Sequence, residues 1–239
     1  MNKLKILILT FVFIGVLTTS TYAFLPENDF SGNFELSRTL ISPSDLNNRI
    51  TDKNNSYYDI NESDGYDINK IDIFEEMMGY SVRLLYQAHE MEEDEELSYN
   101  LDGKVDEENF RAGWSYEYLS GNVSGNIDAN NSEYNRVDDF DIGIHGLGIC
   151  GEYTSRNTLG LMVSFNTALY YGGLEHTIKT NNNTTSERES LYGLGLDLNI
   201  GGVLELDRVN LYGLAGFRRM FLQYDLSGFK YTAGLTIRF

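Results

Sequence analysis

The fold class predicted from the sequence is all-β: an antiparallel up-and-down barrel, most simply of eight strands, with ten as the alternative count. Three observations carry it. The last segment alternates strictly, with Tyr231, Ala233, Leu235, Ile237 and Phe239 on one face and Thr232, Gly234, Thr236 and Arg238 on the other. Such a strand needs apolar surroundings on one side and polar surroundings on the other. The same alternation recurs in Tyr192, Leu194, Leu196, Leu198 and Ile200, opposite Gly193, Gly195, Asp197 and Asn199. Finally, the connections sort by length, with long polar stretches at 120–138 and 176–188 and short turns at 155–157 and 207–208. The short Asp225–Gly228 turn stands at a long position and is the exception. A soluble β-sandwich has no reason to sort its connections by parity.

Met1–Ala23 opens with Lys3 and Lys5, runs apolar from Ile6 to Leu17, and ends in small and polar residues at Thr21-Tyr22-Ala23. That order is the order of a secretory signal peptide. Its apolar run falls short of the about 20 residues a spanning helix needs, so the mature chain is expected to start near Phe24. Residues 24–77 form an N-terminal segment with a first strand and an acidic loop, and 78–239 form the barrel. Without Lys3 and Lys5 the formal charge moves from −18 to about −20, which argues against nucleic acid as a partner. The single Cys150 excludes an internal disulfide. No segment after residue 23 is apolar enough to span a bilayer as a helix, so any crossing must be made by strands.

The first strand is expected at Phe30–Leu40, through Phe30, Gly32, Phe34 and Leu36, followed by an exterior loop around 43–76. Within that loop, Asp59–Asp72 resembles a degenerate calcium loop whose spacing fails strict ligand geometry. An acidic solvated loop is the plainer expectation. Met78, Tyr80, Val82, Leu84, Tyr86 and Ala88 alternate as a strand, although Phe74, Met77, Met78, Leu84, Leu85 and Ala88 also fit a helical stripe. The acidic 90–108 stretch is long for a short-side connection. Phe110, Ala112, Trp114, Tyr116 and Tyr118 make an aromatic strand face. In the next strand Phe140, Ile142 and Ile144 share a face, and the apolar phase then slips to Leu147, Ile149 and Tyr153. Gly146 is where a bulge would produce that slip. Leu159, Leu161, Val163, Phe165, Leu169 and Tyr171 share a face, and Val209–Tyr224 reads as a strand of ambiguous phase.

With its terminal Phe239 the chain resembles small bacterial outer-membrane β-barrel proteins, the eight-stranded, porin-like class. The resemblance rests on motifs over 78–239 and on strand count alone over 24–77. It implies location in the bacterial outer membrane. It implies that Tyr231, Leu235, Ile237 and Phe239 form the signal read by the barrel-assembly machinery. The implied partners are that machinery, outer-membrane lipid, and an extracellular ligand held by the loops. No cofactor and no metal is expected.

On the strand phases above, Arg83, Arg111, Glu117, Asp141, His145, Asp197 and Arg238 should line the lumen, with Arg218 as a further candidate. Charges of both signs in a narrow interior should pair, because an unpaired buried charge is costly. The expected function is a non-enzymatic surface protein with a structural, adhesion or envelope-integrity role. The alternatives are a narrow porin-like diffusion channel and a secreted soluble β-protein. Catalysis has one sketch only, His176 at the outer rim with Glu175 and Ser186 or Ser190.

Overall fold

The computed structural model describes residues 30–61, 67–69, 73–86, 110–128, 135–155, 159–206 and 209–238. In chain order the elements are β1 (Phe30–Ile41), α1 (Ser44–Asn61), β2 (Asp67–Asn69), β3 (Glu76–Tyr86), β4 (Phe110–Asp128) and β5 (Asn135–Thr154). β6 (Leu159–Thr180), β7 (Thr184–Leu206), β8 (Val209–Phe221) and β9 (Gly228–Arg238) complete the elements among the described residues. Leaving aside the short β2, eight strands pair antiparallel with their sequence neighbours, and β9 pairs with β1 to close the ring. The signal segment, the 90–108 stretch and Phe239 lie outside the described residues.

Strand length divides the ring. β1, β3, β8 and β9 run 11 to 13 residues, whereas β4 to β7 run 19 to 23. The surplus falls at one end, the end opposite both termini. There β4, β5, β6 and β7 stay paired above the point where β3 and β8 stop, and β2 adds to β4 through Asp67↔Asp128. At about 3.4 Å per residue, these strands run on for roughly 30 Å of their own length beyond the ring.

Two expectations are corrected here. The polar stretches 120–138 and 176–188 are mostly strand, with the second hairpin turning at 181–183. Composition changes there while the hydrogen-bonded ladder continues. The slip in β5 involves no bulge, since its registers to β4 and β6 run unbroken from Phe110↔Tyr153 to Asp128↔Asn135 and from Arg136↔Thr180 to Thr154↔Met162. What changes is the interior. Phe140, Ile142 and Ile144 face inward into an apolar upper layer, while Leu147 and Ile149 face outward lower down.

Residues 76–86 are strand, and the helical alternative is overturned. A helix does form in the expected exterior loop. Pro43 accepts the first-turn bond from the Asn47 N–H at 2.9 Å, and Asp45 occupies the first turn, where acids suit the helix dipole. Leu46 and Ile50, four residues apart, lie on one face and are fully buried. The phase of β8 is also settled, with odd residues outward and Tyr212, Leu214, Arg218 and Met220 inward.

Candidate functional site

The interior of the ring is layered. Toward the termini it holds the charged groups and a small apolar cluster of Met162, Val203, Tyr212 and Leu214; above the charges it is apolar. The charged layer comprises two groups, each with two cations and two anions. In the first, Arg218 donates through Nε to Asp197 Oδ1 at 2.8 Å and through Nη2 to Asp197 Oδ2 at 2.7 Å. The same Nη2 reaches Glu117 Oε1 at 2.6 Å. Lys230 Nζ lies 2.7 Å from Asp197 Oδ2 and 3.4 Å from Glu117 Oε1. Side-chain exposure is 1 % or less throughout this quartet.

The second group joins Arg83 to Glu35 at 2.9 Å and Arg111 to Glu152 at 3.8 Å. Ser81 and Tyr212 donate to the two oxygens of Glu35, and Asn33 donates to Glu152. Two ions withdrawn from water are tolerable only when geometry is good and the remaining lone pairs are satisfied. Both groups meet that condition on the acid side.

Glycines make room for this chemistry. Gly146 and Gly195 face inward on either side of the Tyr170 ring; a Cβ on Gly146 would stand 2.5 Å from Tyr170 Cε1, and one on Gly195 would meet Cε2. The ring clamped between them aims its hydroxyl at Glu117 Oε2, 2.7 Å away. Gly234 does the same for Tyr212, whose hydroxyl reaches Glu35. Gly146 is therefore small to seat a tyrosine, not to bend a strand.

Above the charges sits an apolar plug of Phe74, Met77, Leu119, Phe140, Ile142, Ile144, Leu174, Leu191, Met220 and Leu226, which Leu46 and Ile50 of α1 cap. The helix is tied down at three points. Asn47 exchanges two hydrogen bonds with the Phe74 backbone, at 3.1 and 2.9 Å. Arg49 Nη1 donates to Glu189 Oε2 at 3.0 Å and to the Tyr224 hydroxyl at 3.1 Å, and Tyr224 donates to Glu189 at 2.9 Å. Burial works to lower the Arg49 pKa, but these two bonds raise it above its ordinary value. Burial and the bond to Glu189 raise Tyr224.

Of the residues expected in the lumen, Arg83, Arg111, Glu117, Asp197 and Arg218 lie inside, and Arg238 pairs with Glu205 at the terminal rim, 2.7 Å away. Asp141 and His145 do not. Both point outward and are exposed, because the outward phase of β5 continues unbroken through Gly146. Sequence reasoning missed Glu35, Glu152 and Lys230. Each alternates with apolar or small neighbours, but its partners come from strands far away in sequence.

The rim arrangement of His176 is also corrected. His176 faces inward, stacked on Phe140 with ring centroids 4.2 Å apart, and is 2.9 Å from Asp138. Glu175 is on the opposite face and takes a hydrogen bond from Ser186 at 2.6 Å, so it is not aligned with the imidazole. The residues of Asp59–Asp72 that are described belong to the end of α1 and to β2.

No family model matches the chain, and no curated protein matches it. Solved structures align along most of its length. Ail, the attachment invasion locus protein of Yersinia pestis, solved with the heparin analogue sucrose octasulfate, aligns over 90 % of this chain and 100 % of its own. Its identity is 11 % and the TM-score 0.48. Neisserial surface protein A aligns over 88 % and 97 % at 10 % identity and a TM-score of 0.41. The outer membrane protease OmpT of Escherichia coli aligns over 90 % and 98 % at 10 % identity and a TM-score of 0.38. At such identities and scores, function has to be argued from the barrel itself.

Proposed function

We propose that this chain is an outer-membrane surface protein whose closed barrel anchors a raised outer sheet in a non-enzymatic role, structural, adhesive or protective of the envelope. The observation that carries this is the outward belt. Leu36, Trp114, Leu169 and Leu198 are 68 %, 71 %, 70 % and 62 % exposed, and Leu147, Leu196, Ile200, Leu211, Phe217 and Tyr231 continue the belt around the ring. A soluble monomer rarely exposes an apolar patch beyond a few hundred Å², which disfavours the secreted soluble alternative. The 11 to 13 residues of the shorter strands match the roughly 9–11 a tilted strand needs to cross a bilayer. Aromatic residues gather at both ends of the belt, Tyr80, Tyr171 and Tyr192 at one and Tyr86 and Phe110 at the other, as girdles do at membrane interfaces.

The filled interior favours an anchor over a channel. The paired charges and the capped plug stand across the path an ion would take. On this reading the termini lie in the periplasm and the hairpin tips lie outside. Two measurements test it. The membrane-fraction protein should migrate faster on a gel unheated than boiled, as a closed barrel does, and should give no steady single-channel steps in a planar bilayer. Regular conductance steps would instead favour the diffusion channel.

The terminal residues Tyr231, Leu235, Ile237 and Phe239 belong to this proposal as the assembly signal. Tyr231, Leu235 and Ile237 share the outward phase of β9. Removing Phe239 should leave the protein in the periplasm, open to degradation. Full delivery of the truncated chain to the outer membrane would remove the terminal aromatic from the proposal.

A further inference from the structure

The outer wall carries a groove that the interior chemistry does not explain. Across β4, β5, β6 and β7 the outward residues stand in three adjacent cross-strand rows. The row next to the apolar belt is Tyr118, His145, Tyr171 and Tyr192. The middle row is Ser120, Gly143, Gly173 and Ser190. The row beyond it is Asn122, Asp141, Glu175 and Arg188. Because the middle row is small, the wall is hollowed into a groove of about 790 Å³, with an aromatic lip toward the belt and a charged lip away from it.

Both lips are held in place. The Tyr80 and Tyr118 rings lie 5.2 Å apart, and those of Tyr118 and His145 lie 4.8 Å apart. The Tyr116 hydroxyl is 2.9 Å from His145 Nδ1. On the other lip, Asn122 donates to Asp141 Oδ1 and Ser186 donates to Glu175 Oε1, each at 2.6 Å. Each carboxylate is thus fixed through one oxygen, and both residues line the groove. Arg188 stands beside Glu175 in register but lies over Gly173 instead, its Nε 2.9 Å from where a Cβ would be.

We propose that this groove binds the head group of a zwitterionic phospholipid. Its phosphate sits on Arg188, its ammonium on Glu175 and Asp141, and its acyl chains follow Leu147, Ile149 and Leu169 along the belt. The inference rests on the reading that the belt faces lipid. Arginine suits phosphate as a planar fork. Glu175 supplies the opposite charge one strand away, about 4.8 Å, the scale of a two-carbon linker, and Asp141 stands one strand beyond it. The tyrosine faces add attraction for a cation. A purely anionic head would meet two carboxylates. A metal ion is disfavoured because, among the described residues, no three His, Cys, Asp or Glu side chains converge as metal ligands do.

The test uses the full barrel in neutral detergent micelles, shown to be folded by its gel mobility before any titration. Short-chain phosphatidylethanolamine, phosphatidylglycerol, a neutral sugar-headed lipid and free phosphoethanolamine are titrated separately by calorimetry and native mass spectrometry. One phosphatidylethanolamine should bind saturably, about ten-fold or more tighter than the other three. Asp141→Asn with Glu175→Gln should erase that preference. Arg188→Gln should weaken phosphatidylethanolamine about ten-fold. Gly143→Leu should block the groove with gel mobility intact, and Leu211→Ala on the far wall should change nothing.

Equal or tighter binding of phosphatidylglycerol or of the sugar-headed lipid overturns the proposal, as does indifference to the acid replacements. Free phosphoethanolamine binding as tightly as the lipid overturns the lipid source. A chain that does not fold in micelles fails earlier, at the membrane reading, and takes this inference with it. A folded barrel that binds no head group overturns the inference alone.

Discussion

Asp197 holds two cations at once, Arg218 through both oxygens and Lys230 through one. Removing one partner of a buried pair leaves an uncompensated charge, which costs about 3–5 kcal/mol. Asp197→Asn is therefore expected to lower the urea midpoint of the folded gel band sharply. Adding Lys230→Met, which restores neutrality around Glu117 and Arg218, should recover most of the loss. An unchanged midpoint for the single variant would mean the quartet is solvated. Asp197 was visible in the sequence as the polar member of a clean alternation. Lys230 was not, because its meaning depends on Glu117, 113 residues away, and on a ring that only closure brings together.

At the scale of the element, α1 closes the mouth of the barrel by a few contacts of two kinds. Leu46 and Ile50 bury apolar surface; Asn47, Arg49, Glu189 and Tyr224 fix the angle of entry. Tyr224 gives the closure a pH dependence. Its folded pKa is raised, so the contribution is full below the ordinary phenol value of about 10. It is lost as pH rises through the higher folded value. Protease cleavage within 44–61 should thus quicken only at strongly alkaline pH, and Tyr224→Phe should remove that dependence while weakening the docking. A neutral-pH onset would contradict it. The helix was only faintly legible. Its cap, Pro43-Ser44-Asp45, and its Leu46–Ile50 spacing are present, but one short apolar stripe inside an Asn- and Asp-rich stretch reads as loop until a surface to cover is known.

For the molecule as a whole, the sequence discloses the belt more clearly than the interior. Outward residues meet one uniform environment, so Leu194, Leu196, Leu198 and Ile200 announce themselves by period two. Inward residues meet a changing one, acid and base below and Phe140 or Ile142 above, and the pattern breaks although the strand does not. The belt makes a direct prediction. Leu196, 45 % exposed at mid-belt, replaced by Arg should cost about 2–4 kcal/mol in a bilayer, read as a lowered unfolding midpoint in liposomes. The same change should be nearly neutral if that face meets water. Orientation is tested separately. An epitope at Asn182, in the β6–β7 turn, should be reached by antibody on intact cells, and one at Asn157 should not. The reverse result would invert the barrel.

The two charge groups are recruited from different parts of the chain, and this sets an order of events. Glu35, Arg83, Arg111 and Glu152 come from β1, β3, β4 and β5, so this group is balanced once the first half of the chain has paired. Glu117, Asp197 and Arg218 gather from β4, β7 and β8 and stay one charge short until β9 delivers Lys230. That strand also forms the eleven rungs to β1 that complete the ring. Sealing the barrel and cancelling its last internal charge are thereby one step. A chain stalled before that step carries an unbalanced anion in an open sheet, which makes the unfinished state easy to tell apart from the finished one.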